Sequence, residues 1–510
     1  MKDQNGDKMN ILANAMNNDS NKTYTENGQI AYASTLNKCL DLFSTIGALR
    51  NTDTTRIQRL FADAYAENPL AATKILFYAR DIREGLGERE TFRKLLKYAA
   101  TYHPECIKHN IHLIGEYGRY DDLYTLIGTP LENDMWLFMA KQFEDDRIAM
   151  AHNESISLLA KWIKTADASS PKTKALGILT AQKLNYSVYD FKRIVRAMRK
   201  YLNVVERKMT RDEWSNIEYG AVPSLAMLRY RNAFRRHDED RFNEFINDAI
   251  TGKTKINANA LFPYDIVEKY LYGDHDNDSL EAQWRQLPNY VDDTNVLVVA
   301  DVSGSMYGRP MATSIGLGMY FAERNHGAFH NMFMTFSDKP TIVELKGETL
   351  AQKIKFMENA DWGCTTNLKS VFDKVLKLAI SNNVPAEDLP KSILIISDME
   401  INACCREKDF YNTVKSEYAK NGYELPNLVF WNVNSRKDTF LATAGIKGVQ
   451  LVSGQSITVF KQLIQSIGMK PEELMMEIIN SERYSPIIVD LFAHVKQISC
   501  ENNKPTNMVQ

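Results

Sequence analysis

The spacing of apolar residues changes near residue 273, and no other feature of the sequence constrains the fold more. Before this point apolar residues recur at intervals of three and four, as in the set Ile57, Leu60, Phe61 and Ala64. That spacing lines one face of a helix. After this point short apolar runs bounded by turns alternate with helical segments. The two patterns predict two different architectures in one chain.

The first pattern predicts an all-α domain of paired helices over residues 31–280. Pro69 stands at an early helical position, where its missing N–H is no loss, and Gly85 and Gly87 separate two helical blocks. No run with the alternation of a β-strand interrupts this region, and it has no fixed sequence period. Residues 1–30 are rich in Asn, Asp, Ser and Thr, and we expect them to form a flexible arm.

The second pattern predicts a doubly wound, Rossmann-like α/β domain over residues 290–510. Runs that are apolar on both faces and separated by helices are typical of parallel strands buried between two helical layers. The expected strands are 294–300, 331–336, 392–398 and 427–433, and the expected helices are 309–325, 367–381, 407–420 and 456–466. A polar, turn-forming sequence at 273–279 is expected to link the two domains.

Composition predicts a protein that works in the cytoplasm, without a membrane. Lys and Arg number 62 against 64 for Asp and Glu, so any nucleic-acid site must be a local patch. No apolar stretch is long enough to span a bilayer, and the first residues lack the apolar core of a signal peptide. The six cysteines include no C-x-x-C pair and fit a reducing compartment.

Hydroxyl and carboxylate side chains follow the predicted strands, at the ends where ligands of such sheets bind. The first predicted strand runs directly into Asp301, Ser303 and Ser305. The third ends at Asp398, and the loop that contains Thr366 precedes a predicted helix. The D-x-S-x-S sequence alone would favour a helix N-cap. Three such loops together favour a site for Mg²⁺ or Mn²⁺, which prefer hard oxygen ligands.

The same residues resemble the metal-ion-dependent adhesion site of von Willebrand factor A domains. In that family two serines and a threonine ligate the ion directly, and two aspartates act largely through water. The resemblance implies direct ligation by Ser303, Ser305 and Thr366, with Asp301 and Asp398 in water-bridged roles. Thr365 is an alternative to Thr366. The resemblance also implies an open position on the ion, which would accept an Asp or Glu carboxylate of a protein partner.

The helical region resembles the TROVE module of the Ro ribonucleoproteins, and more closely a family of uncharacterised TROVE-like proteins with the same domain order. The segments that carry the similarity are 77–96, 112–126, 205–238 and 256–271. The resemblance implies HEAT-like helical repeats arranged in a ring that the von Willebrand domain closes. It also implies binding of single-stranded or structured non-coding RNA.

A basic stretch at 192–241 predicts an RNA contact independently of this resemblance. It holds thirteen basic and seven acidic residues, an excess of six in a nearly neutral chain. Such a stretch can follow a phosphate backbone, although solvated helix faces are often basic as well. Trp214, Tyr230 and Phe234 lie among these residues and would either stack on bases or fill the core. The candidate RNA-binding residues are Lys192, Arg193, Arg196, Arg199, Lys200, Arg207, Lys208, Arg235 and Arg236.

Other interpretations stay open at this point. Arg80, Arg83, Arg89 and Arg93 form a second basic cluster, which is either a phosphate site or an internal network with nearby carboxylates. An alternative function is a metal-dependent scaffold that grips an acidic residue of a partner. A metal-dependent hydrolase would need a general base, and Glu400 is the nearby candidate. Because no nucleophile motif or phosphate-binding loop accompanies it, we expect no enzymatic activity.

Overall fold

The computed structural model describes residues 20–273, 277–291, 295–360, 366–403, 410–465 and 467–490. In chain order its first elements are β1 (Lys22–Tyr24), β2 (Ile30–Tyr32), α1 (Lys38–Phe43), α2 (Thr54–Glu67), α3 (Pro69–Arg80), α4 (Glu90–Tyr102), α5 (Pro104–Lys108), α6 (Leu113–Tyr117), α7 (Glu132–Ala151), α8 (Leu159–Trp162), α9 (Pro171–Lys183), α10 (Val188–Tyr201), α11 (Val205–Thr210), α12 (Ser224–His237), α13 (Glu239–Ile250) and α14 (Pro263–Leu271). They are followed by α15 (Asn277–Arg285), β3 (Val296–Ala300), α16 (Arg309–Arg324), β4 (Met332–Thr335), β5 (Ile342–Glu344), α17 (Leu350–Glu358), α18 (Leu368–Ser381), β6 (Ser392–Ser397), α19 (Phe410–Lys420), β7 (Asn427–Asn432), β8 (Val449–Ser453), α20 (Thr458–Gln465) and α21 (Pro471–Ile479).

The predicted helical region is confirmed, and local sequence explains where its helices begin. Asn68 caps α3, because its side chain accepts a hydrogen bond from the backbone N–H of Ala71 and Pro69 follows at the first position. Helix α2 buries the four apolar residues whose spacing predicted it. A left-handed turn at Asn203, with φ of 50°, separates α10 from α11. Among the described residues no helix is both long and apolar enough to cross a bilayer.

A six-stranded sheet forms the centre of the described α/β part, in the order β5-β4-β3-β6-β7-β8. Strands β3, β4, β6, β7 and β8 are parallel, and β5 pairs antiparallel with β4 at the edge. The four predicted strands are confirmed, whereas β5 and β8 were not predicted. Strand β5 has three residues and is largely exposed, and β8 carries the polar but buried Gln450, which interrupts its apolar run.

The described residues cluster into two compact units whose bounds differ from the predicted domains. The α/β unit contains the residues up to 53, 223–231 and 244–478, and the helical unit contains 54–222, 232–243 and the residues from 479. Helix α14 belongs to the α/β unit because it lies directly against α16. A Cβ added at Gly316 would lie 3.1 Å from the backbone and side chain of Pro263. The boundary expected between residues 280 and 290 therefore falls inside the α/β unit.

Part of the expected flexible arm is an antiparallel hairpin of β1 and β2, paired from Lys22 to Tyr32. Beside it, Tyr32 and Phe440 exchange two backbone hydrogen bonds, of 2.8 and 2.9 Å. The flexible arm expected from composition is therefore wrong for residues 22–30. Their polar groups form hydrogen bonds with a distant part of the chain, and these bonds offset the entropy lost on ordering. Residues 1–19, the remainder of the expected arm, lie outside the described residues.

Candidate metal centre and nucleic-acid interface

The loop after β3 holds three of the predicted metal-site residues close together. Asp301 accepts a 2.9 Å hydrogen bond from the backbone N–H of Ser303, and the hydroxyl oxygens of Ser303 and Ser305 lie 3.1 Å apart. The hydroxyl of Ser397 donates to the other carboxylate oxygen of Asp301 at 2.6 Å. The parallel register that pairs Ala300 with Ile396 sets the ends of β3 and β6 side by side and so allows this contact.

The loop after β6 carries Asp398, which is almost fully buried. One carboxylate oxygen accepts from the backbone N–H of Glu400 at 3.1 Å, and the other from Nη2 of Arg436 at 3.0 Å. Thr366 is fastened to the same loop, since its hydroxyl donates to Oδ1 of Asn402 at 2.8 Å. The alternative ligand, Thr365, lies outside the described residues.

The carboxylates of this region are buried near one another. Burial raises the pKa of Asp301 above its ordinary value, and the negative charge of Asp398 raises it further. Burial likewise raises the pKa of Glu400, with Glu26 and Asp398 as additional negative neighbours. A divalent cation would offset this repulsion, which is the electrostatic condition for a metal site.

The donor chemistry of these residues fits Mg²⁺ or Mn²⁺. Ser303, Ser305 and Thr366 would supply hydroxyl oxygens, and Asp301 and Asp398 would supply carboxylates held by hydrogen bonds from the protein. No group of three or more His, Cys, Asp or Glu that could hold a metal occurs among the described residues.

Glu400, the candidate general base, makes two hydrogen bonds to residues 26–27. Its Oε2 atom accepts a hydrogen bond of 2.5 Å from the backbone N–H of Glu26, and its side chain is almost fully buried. Its backbone oxygen accepts a second bond from the side chain of Asn27, at 2.6 Å. These two contacts connect the loop that follows β6 to residues 26–27.

The helical unit contains an open cleft of about 930 Å³ with a basic lining. Four of the predicted RNA-binding residues line it: Arg196, Arg199, Lys200 and Arg207. Three further cationic residues join them: Arg211, which lies in the predicted basic stretch, and Lys161 and Lys164, which lie outside it. The acidic residues of the lining are Asp167 and Glu206. Trp162 also lines the cleft, and the guanidinium carbon of Arg119 lies 3.7 Å from the centre of its ring.

The predicted role of Arg199 as a phosphate contact needs correction. Its Nε donates to the carbonyl of Ala160 at 2.8 Å, and its Nη2 donates to the carbonyl of Ile163 at 2.9 Å. Burial lowers the pKa of Arg199 from its ordinary value. Because its donors are engaged by the backbone at the end of α8, Arg199 shapes the wall of the cleft. Arg196 keeps a more exposed position and pairs with Asp167 at 3.1 Å.

The remaining predicted residues do not line the cleft, and several have partners of their own. Lys208 donates to the carbonyl of Asn216 at 2.7 Å, and Arg235 donates to Oδ1 of Asn243 at 3.2 Å. The others outside the cleft lining are Lys192, Arg193 and Arg236. Of the interleaved aromatic residues, Phe234 is fully buried, and Trp214 stacks on His237 with ring centres 4.3 Å apart.

Two residues of the second basic cluster, Arg80 and Arg93, belong to an internal network of ion pairs. Nε of Arg80 lies 2.8 Å from one carboxylate oxygen of the buried Asp122, and Nε of Arg93 lies 2.6 Å from the other. Arg83 donates to the carbonyl of Glu116 at 2.6 Å. The charges of Arg80 and Arg93 are therefore balanced by buried carboxylates, whereas Arg83 is exposed and its partner is an uncharged carbonyl.

The sequence of this chain is similar to known protein families. A family model described as a domain of unknown function, DUF2828, matches residues 25–144 and 120–297, which is more than half of the chain. The chain belongs to the DUF2828 family. In this DUF2828 protein a second model of unknown function, DUF7788, matches residues 295–509 and covers the strands β3 to β8.

Two individual proteins are similar to this DUF2828 protein over most of its length. The uncharacterized protein L728 of Acanthamoeba polyphaga mimivirus is 27% identical, and the alignment covers 92% of this chain and 89% of L728. The crystal structure of the Deinococcus radiodurans RO (RSR) protein is 12% identical with a TM-score of 0.38, covering 87% of this chain and 93% of that one.

Proposed function

We propose that this protein is a non-enzymatic RNA-binding protein of the Ro/TROVE type, with a von Willebrand factor A domain that holds Mg²⁺ or Mn²⁺. The observation that carries the RNA part is the composition of the cleft in the helical unit. Seven cationic residues line it against two acidic ones, in a chain whose formal charge is −2. An excess of positive charge in a concave site attracts polyanions and raises their local concentration.

The cleft suits single-stranded or partly structured RNA. Exposed cations such as Lys200 and Arg211 can meet phosphates without first giving up a buried partner. Arg196 has Asp167 as a partner, and a phosphate would compete with that carboxylate for its guanidinium. Trp162 adds an aromatic wall, which favours unpaired bases over a closed duplex. The sequence resemblance to the TROVE module supports the same class of ligand.

A charge-reversal experiment tests this proposal. The variant Lys161→Glu, Lys200→Glu, Arg211→Glu places three negative charges in the cleft. We expect it to bind a labelled single-stranded oligouridylate at least about tenfold more weakly than the wild type in a filter assay, because three phosphate contacts are lost. The matched control, Lys141→Glu, Lys346→Glu, Lys420→Glu, makes the same change of net charge at exposed positions that do not line the cleft. Equal loss in both variants would reject the cleft as the binding site.

Two arguments support the proposed metal site: the oxygen atoms that these residues offer as ligands, and their resemblance to the site of von Willebrand factor A domains. The proposed ligands are three hydroxyls and two buried carboxylates, carried by the loops that follow β3 and β6 and by the residues just before α18. A bound dication would supply positive charge for an acidic ligand oxygen. The chain itself supplies the oxygen ligands and the hydrogen bonds that orient Asp301 and Asp398.

One observation favours a second candidate function, a metal-dependent protein scaffold. Tyr307, which follows the loop of Ser303 and Ser305 directly, is 82% exposed. An exposed aromatic side chain beside a metal loop is suited to contact a protein partner that presents Asp or Glu to the ion. The two functions are separable, because Tyr307→Ala should weaken capture of an acidic protein partner and leave RNA binding in the helical unit unchanged.

A further inference from the structure

The amino-terminal hairpin reaches the proposed metal loops through Arg436. We infer that docking of this hairpin and binding of a divalent cation are coupled, each strengthening the other, an inference that rests on the metal site of the proposed function. The coupling makes the hairpin, residues 22–32, a regulatory element of the α/β unit. All the residues concerned lie in that unit.

The turn of the hairpin is fastened to the loop that follows β6. The hydroxyl of Thr25 donates to the carbonyl of Ile401 at 2.6 Å, and the backbone N–H of Ala403 donates to the carbonyl of Asn27 at 3.0 Å. Gly28 forms an isolated antiparallel bridge with Asn402. The turn therefore pairs with residues 401–403 almost as an additional strand.

The loop that follows β6 also contacts Thr366, one of the proposed metal ligands. The backbone of Asn402 forms the bridge with Gly28 of the hairpin. Its side-chain Oδ1 accepts a hydrogen bond of 2.8 Å from the Thr366 hydroxyl. The backbone N–H of Asn402 also donates to the carbonyl of Thr366 at 3.0 Å. A shift of the hairpin turn would consequently be transmitted to Thr366 through one residue.

Arg436 also connects the hairpin electrostatically to the proposed metal site, in addition to the hydrogen bonds through Asn402. Its Nη2 donates to Asp398 at 3.0 Å, and its Nη1 lies 3.0 Å from Oε2 of Glu26 in the hairpin turn. Two further charged groups face this contact, Lys437 at 3.6 Å from Glu26 and Glu400. One guanidinium thus divides its charge between a metal-site carboxylate and the hairpin.

The sign of the coupling follows from these charges. A dication near Asp398 repels the guanidinium of Arg436 and drives it toward Glu26, which strengthens hairpin docking. Docking in turn brings the negative charge of Glu26 to Arg436, so that less positive charge opposes the incoming ion. Linkage requires the two effects to be equal in free energy.

Calorimetric titration of the full chain with Mn²⁺ tests the inference. Glu26→Gln removes the neutralising charge while it preserves size and the backbone bond to Glu400. Because the Glu26–Arg436 pair is about one-third exposed, we expect affinity to fall about two- to fivefold. Glu424→Gln makes the same charge change at an exposed position of the α/β unit and should bind Mn²⁺ as the wild type does. In the Arg436→Gln background, Glu26→Gln should no longer lower Mn²⁺ affinity, whereas a merely structural defect of the hairpin would lower it there as well.

Amide hydrogen exchange gives an independent readout. Mn²⁺ should slow exchange at residues 25–28 in the wild type and leave it unchanged in Arg436→Gln. If the wild type binds Mn²⁺ but Glu26→Gln binds it equally well and exchange does not respond, the coupling is wrong and the metal site stands. If the wild type binds no Mn²⁺, the metal site and the coupling are both rejected, whereas RNA binding by the cleft is untouched.

Discussion

Arg483 donates from Nε and Nη2 to the two carboxylate oxygens of Asp81, at 2.8 and 3.0 Å, although 402 positions separate the residues in sequence. Asp81 is fully buried, and the hydroxyl of Tyr484 lies 3.2 Å from the same carboxylate. Farther along the chain, the side chain of Asn110 bonds to both the backbone N–H and the carbonyl of Ile488. Within the described part of the chain, residues 483–488 are thereby an integral part of the helical unit.

Loss of this ion pair should destabilise the helical unit strongly. In Arg483→Met the carboxylate of Asp81 stays buried without its guanidinium partner, and we expect the free energy of unfolding to fall by about 3 kcal/mol. Denaturant unfolding followed by circular dichroism measures this change. The comparison variant Arg89→Met removes an exposed pair with Glu90 and should cost less than about 1 kcal/mol. Similar losses in both variants would contradict the burial argument.

Removal of two hydroxyls should abolish metal binding without unfolding the α/β unit. Ser303→Ala with Ser305→Ala deletes two of the three proposed direct ligands, so Mn²⁺ should give no binding heat in calorimetry. Helical content measured by circular dichroism should stay the same, because Ser305 is exposed and Ser303 only partly buried. Ser416→Ala, at an exposed position of α19, serves as the control. Unchanged Mn²⁺ affinity in the double variant would remove Ser303 and Ser305 from the site.

RNA affinity should depend steeply on salt. Each phosphate neutralised on a single strand contributes a slope of roughly −0.7 in a plot of log affinity against log salt, so contact with about four phosphates predicts a slope of about −3. Reversal of charge at Lys161, Lys200 and Arg211 should flatten this slope and leave Mn²⁺ binding in the α/β unit intact. The scaffold function predicts the opposite pattern, in which binding needs the metal and ignores these three charges.

Asp265, at the start of α14, should make the stability of the α/β unit depend on pH. Burial raises its pKa to about 6, so the folded protein holds the proton more tightly than the unfolded chain does. Protonation therefore stabilises the fold, and this contribution of about 2 to 3 kcal/mol is complete below pH ~4 and lost as the pH rises through about 6. The carboxylate of Asp265 accepts from the backbone N–H of Phe262 at 3.0 Å, a bond that the amide of Asn can also accept.

The variant Asp265→Asn isolates this contribution from other titrating groups. Above pH ~6 it should be more stable than the wild type, and the difference should shrink as the pH falls toward 4. Chemical denaturation of both proteins at several pH values measures the difference directly. A stability difference that does not vary with pH would exclude Asp265 as the titrating group.

Local spacing determined much of the architecture. The helix face of α2 and the strands β3, β4, β6 and β7 follow from apolar periods of a few residues, which depend only on neighbours along the chain. Because parallel strands end at one edge of a sheet, the order of the motifs also predicted that Asp301 and Asp398 would come near each other. Their electrostatic interaction agrees with that expectation. Binding of a metal there is still a prediction.

Tertiary structure alone decided which charged groups have partners. The same basic periodicity places Arg199 against backbone carbonyls and Lys200 at the surface, and no local pattern separates the two. Lys161 and Trp162 join the cleft only because α8 packs beside α10, and Glu26 meets Arg436 only because a hairpin docks hundreds of residues away in sequence. Such contacts depend on the free energy of packing between distant segments, which a window of neighbouring residues does not contain.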